Sequence, residues 1–150
     1  MGSTDSRNDP VASFNFEVQI DGIGLRAGFS EISGLSTETD IIEYREGSDA
    51  ENHNRKLCGR DKVTNLALKR GYTPNGKELW AWRQAVINGM AERHGGTIIL
   101  KDEAKNVALK WQFSEGWPSK WAGPAFNAKN NDVAIEEMEI CIEKLVLDEG

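Results

Sequence analysis

The chain has 150 residues, 39% of them hydrophobic, with 18 Lys and Arg against 24 Asp and Glu and a formal charge of -6. That length fits one domain whose core needs no metal or disulfide staple, and the acidic balance, with scattered Lys and Arg, excludes a free-standing nucleic-acid binder. Cys58 and Cys141 stand far apart and outside any metal-ligand spacing, which argues against a disulfide framework and for a reducing compartment.

The opening MGSTDSRNDPVAS lacks the basic and apolar regions of a secretory signal, and no apolar run approaches the roughly 20 residues of a membrane span. A flexible tail over residues 1–12 and a single domain over 13–150 are therefore expected, with no membrane anchor. Ser13 to Ile20 alternates, with Phe14, Phe16, Val18 and Ile20 on one face, as a half-buried strand requires. Asp21 and Gly22 read as a two-residue turn, so Ile23 to Phe29 should fold back antiparallel. Ser36 to Arg45 reads as a third strand, carrying Glu38, Asp40 and Tyr44 on one parity, and the adjacent Ile41 and Ile42 hint at a bulge or a face switch.

The polar stretch Glu46 to Arg60 reads as a long surface loop. Strand character returns over Asp61 to Arg70, with Leu66 and Leu68 opposite Asn65, Ala67 and Lys69. Lys77 to Met90 is the one convincing helix, because Leu79, Trp82, Val86 and Met90 recur at three- and four-residue spacing. Thr97 to Lys101 and Val107 to Ser114 follow as strands, the second with Val107, Leu109, Trp111 and Phe113 inward. Asp132 to Leu147 alternates as one long strand: Ala134, Met138, Ile140, Ile142 and Val146 fall on one parity, Glu137, Glu139, Cys141 and Glu143 on the other. The expected fold is mainly β: an antiparallel β-sandwich or barrel of about seven strands with one packed α-helix.

Sites for chemistry are sparse. GYTPNGKE, from Gly71 to Glu78, has phosphate-loop spacing, but Glu78 stands where a hydroxyl must hold magnesium and Pro74 removes a backbone N–H. A turn leading into the helix is the better reading. His53 and His94 have no Asp or Cys at metal-site or triad spacing and are read as solvated. Of the carboxylates Glu136, Glu137, Glu139 and Glu143, the last three share a wet strand face, which offers nothing to raise a pKa for acid catalysis. Neither enzymatic activity nor a cofactor is expected. Trp82, Trp111, Trp117 and Trp121 read as core or subunit-contact aromatics rather than a ligand-stacking platform.

Four segments, taken in order and spacing, carry a resemblance: FNFEVQIDG, FSEISGLSTETDIIEYREG, TNLALKRGYTPNGKELWAW and WQFSEGWPSKWAGPAFNAKNNDVAIEEMEICIEKLVL. From about Phe14 to Leu147 the chain resembles the inner-tube protein family of contractile phage tails and phage-tail-like injection systems. The resemblance implies homohexameric rings stacked into a hollow tube inside a contractile sheath, with strands of neighbouring subunits joined in one continuous lumenal barrel. Implied partners are further copies of the chain, the sheath protein, baseplate or tube-initiator proteins, and a passing cargo of effector protein or DNA without stable nucleic-acid binding. The protein would be made in the cytoplasm and assembled into a particle that can be released. On this reading Glu38, Asp40, Asn65 and Lys69 are lumen candidates. Glu46, Asp49, Glu51, His53, Arg55 and Lys56 are candidates for a ring-stacking loop. Two other readings remain open: a tube-initiating or terminal ring paralogue, and a monomeric small-ligand-binding barrel with Trp117 and Trp121 near its mouth.

Overall fold

The computed structural model describes residues 15–45, 47, 55–72, 76–90, 92–102, 104, 106–124 and 134–148. The expected tail over 1–12 lies outside them. The described residues form ten strands and one helix in chain order: β1 (Asn15–Ile20), β2 (Leu25–Phe29), β3 (Glu31–Ser33), β4 (Thr37–Tyr44), β5 (Arg55–Val63), β6 (Leu66–Gly71), α1 (Glu78–Ile87), β7 (His94–Lys101), β8 (Val107–Ala122), β9 (Ile135–Cys141) and β10 (Lys144–Asp148). All strand pairings are antiparallel, and the main sheet runs β2-β1-β7-β8-β9-β6-β3.

Its two end strands are one run of chain. β2 and β3 are separated only by Ser30, whose N–H donates to the Lys69 carbonyl at 2.8 Å. The first strand of the sheet therefore continues into the last, and the sheet closes on itself, removing the edges that make open sheets associate. The alternation seen in the sequence fills this barrel: Val18, Ile20, Leu66, Leu68, Met138 and Ile140 are all 2% exposed or less. Helix α1 adds Leu79 and Trp82 to the same core. The helix is shorter than Lys77 to Met90 because the chain leaves helical geometry at Asn88 and Gly89. Met90 then stands 68% exposed instead of facing the core.

The count exceeds seven for three physical reasons. Ser30 marks β3 off from β2, the expected strand Asp61 to Arg70 divides at Thr64 and Asn65 into the end of β5 and β6, with β5 starting inside the expected loop over Glu46 to Arg60, and the expected long strand Asp132 to Leu147 divides at Ile142 and Glu143. That division matches a change in β8. Up to Phe113 the buried side of β8 is odd-numbered, whereas Gly116 and Pro118 are buried on the even side. Between them Glu115 adopts φ 56°, the left-handed region that one residue uses to re-phase a strand. Across from it, the Glu143 N–H donates to the Ser114 carbonyl at 3.2 Å. Inward parity there passes from Ile142 to Leu145, which leaves Val146 44% exposed. Both strands turn the same corner together. At the strand's start Val107 is also outside, 57% exposed.

A left-handed conformation costs a residue bearing a Cβ about 1 kcal/mol or slightly more relative to glycine. Glu115→Gly is therefore expected to raise the melting temperature by about 2–4 °C. Calorimetry checks this, and a lowered melting point would show that the Glu115 side chain supplies more than its backbone strain removes.

Two further differences lie near α1. The first hairpin turn spans four residues, Asp21 to Gly24, because Ile20 pairs with Leu25. His94 is not solvated: its side chain is 15% exposed, its ring lies 5.6 Å from that of Trp82, and a Cβ on Gly22 would fall 2.3 Å from its Nδ1. The wider turn makes room for this imidazole. His53 lies outside the described residues.

Candidate functional site: a charged two-stranded arm

β4 and β5 form a two-stranded sheet of their own. They extend the β3–β6 pair outward, since β3 leads into β4 and β5 leads into β6. The root is tied by backbone and hydroxyl groups: Thr64 Oγ1 donates to the Gly34 carbonyl at 2.7 Å, and the Thr64 N–H donates to the Ser36 carbonyl at 3.2 Å. Gly34 adopts φ 90° there, and a Cβ on it would sit 2.0 Å from the Asn65 carbonyl oxygen. The hint from adjacent isoleucines is realised as a register shift between Thr39 and Ile41, where Gly59 and Arg60 oppose Asp40.

Beyond the root the arm lies open on both faces. Ile41 and Cys58 are opposite each other on one face, Ile42 and Leu57 on the other. Ile41, Ile42 and Leu57 are 68%, 49% and 50% exposed. Around this apolar middle the charges segregate by strand. β4 carries Glu38, Asp40 and Glu43 and no basic residue, while β5 carries Arg55, Lys56, Arg60 and Lys62 against the single acid Asp61. Lys62 Nζ lies 3.0 Å from Asp40 Oδ1, and Thr39 Oγ1 donates to Asp61 Oδ1 at 2.7 Å.

The residues singled out in the sequence are thus distributed. Glu38 and Asp40 stand on the acidic strand. Asn65 and Lys69 belong instead to the barrel wall, where the Asn65 amide donates to Glu139 Oε1 at 2.9 Å and Lys69 Nζ lies 3.5 Å from Glu31 Oε2. Arg55 and Lys56 are not in a loop but open β5, paired with Tyr44 and Glu43. Regular cross-strand pairing explains the difference, because β5 reads as polar only by having both faces wet. Glu46, Asp49, Glu51 and His53 lie outside the described residues.

The aromatic residues sort differently. Trp82 is 3% exposed and its Nε1 donates to the Glu92 carbonyl at 3.1 Å. Trp111 and Trp121 are partly buried against the core, and Trp117 is half-buried on β8. Trp121 also packs against Trp80 in a tilted contact, ring centroids 4.8 Å apart and planes at 54°. Sequence periodicity did not single out Trp80, which lies on the exposed side of α1. Beneath this pair lies a buried ionic cluster. Arg70 Nε donates to Glu136 Oε1 at 2.5 Å and Trp121 Nε1 donates to Glu136 Oε2 at 3.1 Å. The Arg70 guanidinium also donates to the Gly76 carbonyl at 3.3 Å and reaches Glu78 Oε2 at 3.5 Å. The phosphate-loop-like turn is in this way fastened to the barrel through its carbonyl and its carboxylate. Residues 73–75 within it lie outside the described set.

The described residues line clefts open to small molecules, two of which adjoin the arm root and the helix. One, of about 420 Å³, lies between the arm root and β10 and is lined by Glu38, Asp61, Lys62, Glu143 and Lys144 among others. The second, of about 330 Å³, lies beside α1 between Ile23, Ala81, Trp82 and Ala85, with Glu78 and Glu92 at its rim. Neither is lined by Trp117 or Trp121. No group of His, Cys, Asp and Glu among the described residues is arranged to hold a metal. No described helix is long and apolar enough to cross a membrane.

A closed barrel with a projecting arm that is apolar in the middle and charged along both strands defines an assembly module. The chain belongs to the T4-like virus tail tube protein gp19 family, whose model matches residues 12–146. Among solved structures it is similar to a chain of an extracellular contractile injection system described as a PVC sheath–tube complex in the extended state. That match has 27% identity, a TM-score of 0.82, and coverage of 99% of this chain and 97% of the other. It shares its fold with a chain of the anti-feeding prophage cap, at 24% identity and TM-score 0.80 with 99% of each chain covered. Hcp1 from Flavobacterium johnsoniae shows the same fold more distantly, at 14% identity and TM-score 0.56 over 91% of this chain and 97% of that one. Comparison with curated proteins by sequence gave no match.

Proposed function

We propose that this chain is the ring-forming subunit of the inner tube of a contractile injection particle or phage tail. Six copies close a ring, rings stack into a hollow tube, and a sheath surrounds it. The observation that carries the reading is the arm. A lone two-stranded hairpin is marginal in water, yet this one holds Ile41, Ile42 and Leu57 outward in regular register. Such a surface is completed by burial against another copy.

In the ring, Glu38, Asp40, Asn65 and Lys69 face the lumen, and contact with the adjacent ring falls to Glu46, Asp49, Glu51, His53, Arg55 and Lys56. Cargo passes without chemistry, as an effector protein or DNA, along a wall of paired charges such as Glu31 with Lys69. The sheath and the baseplate are the external partners. The similarity to a protein of a sheath–tube complex supports the first of these, and release in an extracellular particle fits the same relative. A terminal-ring role is the second reading, favoured by similarity at 27% identity to a chain described as a PVC sheath/tube terminator.

Negative-stain electron microscopy of the purified protein across a concentration series tests the proposal. Rings with sixfold end views and hollow tubes are expected. Rings that never stack, with or without baseplate proteins, select the terminal role, and a uniformly monomeric field in both conditions overturns the ring reading. Deleting residues 48–54 is expected to leave a folded protein that forms rings but not tubes, and long tubes from that variant would remove the stacking role of the segment.

A further inference from the structure

We infer that the cleft beside α1 is a binding site for a small organic amine, a short apolar body ending in a protonated amino group. The site is independent of ring formation. Glu78, Ala81, Trp82 and Ala85 recur at three- and four-residue spacing, so one face of the helix supplies most of the lining. The two alanines leave a trough against Ile23 of the first hairpin turn, where longer side chains would close the space. At about 330 Å³ the cleft falls at the lower end of the roughly 300–1,000 Å³ of ligand pockets. A body of a few carbons suits it.

The walls are fixed before any ligand arrives, which lowers the cost of binding. The His94 ring lies 5.6 Å from that of Trp82, and a Cβ on Gly22 would fall 2.3 Å from its Nδ1. The imidazole thus touches both the turn that carries Ile23 and the helix that carries Trp82, and it holds them apart. Trp82 Nε1 donates to the Glu92 carbonyl at 3.1 Å, which pins the Glu92 backbone at the cleft. The charge at the opening has one sign. Glu78 and Glu92 both line it, and none of the described lysines and arginines does. Arg70 reaches Glu78 at 3.5 Å, but its nearer partner is Glu136. Glu92 has no Lys or Arg partner among the described residues, and His94 Nε2, 3.5 Å from Glu92 Oε2, is buried without a hydrogen bond. The Glu92 side chain is 73% exposed and open to a cation. An apolar floor with carboxylates at its rim selects an amine over neutral or anionic molecules of the same shape.

Titration with n-pentylamine at neutral pH tests this, with n-pentanol and hexanoate as the neutral and anionic counterparts. Methyl NMR of Ile23, Ala81 and Ala85 reads occupancy on single copies and on larger assemblies alike. Saturable shifts of these methyls are expected from the amine, about tenfold weaker binding from the alcohol, and none from hexanoate. Glu92→Gln, at an exposed position, is expected to weaken the amine about tenfold and to leave the alcohol unchanged. Ala81→Leu, on an exposed helix position, fills the trough and is expected to abolish binding of both. Amine at about twenty times its dissociation constant is expected to raise the melting temperature of the wild type by roughly 4–7 °C and that of Ala81→Leu not at all. Methyls that the amine leaves unmoved overturn the inference. So do amine and alcohol that bind alike, or a Glu92→Gln variant that binds the amine as the wild type does.

Discussion

Gly34→Ala is expected to destabilise the protein by about 3 kcal/mol or more and to lower its melting temperature by about 6–12 °C. Two penalties add at this position. The backbone holds φ 90°, which a Cβ disfavours, and the new methyl would fall 2.0 Å from the Asn65 carbonyl oxygen. The obstacle is backbone that leads directly into Leu66, fully buried in the core, so the neighbour cannot yield cheaply. The carbonyl of Gly34 also accepts the Thr64 hydroxyl and the Ser36 N–H, so shifting it unties the arm root. Gly24→Ala is the control: φ is 67° but no atom lies within 4 Å of the added Cβ, and only the conformational penalty of about 1 kcal/mol applies. Urea melts of both variants, with amide exchange across β4 and β5, give the comparison. Equal losses in the two would show that the overlap at Asn65 is absorbed.

Glu136→Leu is expected to cost about 3–5 kcal/mol, because it leaves the Arg70 guanidinium buried without its main counter-charge. Glu136 is 1% exposed and Arg70 8%. Glu78 remains within 3.5 Å of the guanidinium, but it is 41% exposed and screened by water. The double variant Arg70→Met/Glu136→Leu removes both charges and should recover most of the loss. About 1 kcal/mol should persist, since Trp121 Nε1 has lost the acceptor it now reaches at 3.1 Å. Chemical denaturation of the three proteins closes the cycle. If the double variant is no more stable than Glu136→Leu alone, the destabilisation comes from packing under Trp121 and not from the stranded charge.

The strands of the barrel were legible because their burial alternates. Phe16 to Ile20, Leu66 to Arg70 and Glu136 to Ile142 each show one wet and one dry parity in the sequence and the same parities in the fold. Even the buried pair had a signal: Arg70 shares its parity with Leu66 and Leu68, and Glu136 with Met138 and Ile140. Two inward charges of opposite sign on strands that prove to be neighbours are a candidate buried ion pair. Alternation cannot report a strand with two wet faces, so Arg55 to Arg60 read as loop and the rest of β5 read as the start of β6. Nor does it report a one-residue change of phase. A glutamate at φ 56° carries none of the glycine signature of a bend, so the corner shared by Glu115 and Glu143 was invisible, and the last two strands read as one. The arm's charge segregation was present in the sequence throughout, but that the acidic and basic runs lie side by side as β4 and β5 is seen only in the fold.

The order of strands around the barrel sets a timetable for folding. β1 with β2, and β4 with β5, are close in the chain and can zip early. β9 lies between β8 and β6, and it is made almost last. Until it arrives, the Leu66 and Met138 layer has no partner and the barrel stays unsealed, while the β4–β5 hairpin can already be paired. A nascent or truncated chain ending before Ile135 therefore exposes two open sheet edges, on β8 and β6, a state prone to misassembly. Sealing of the barrel therefore waits on β9, whose insertion between β8 and β6 covers both open edges at once.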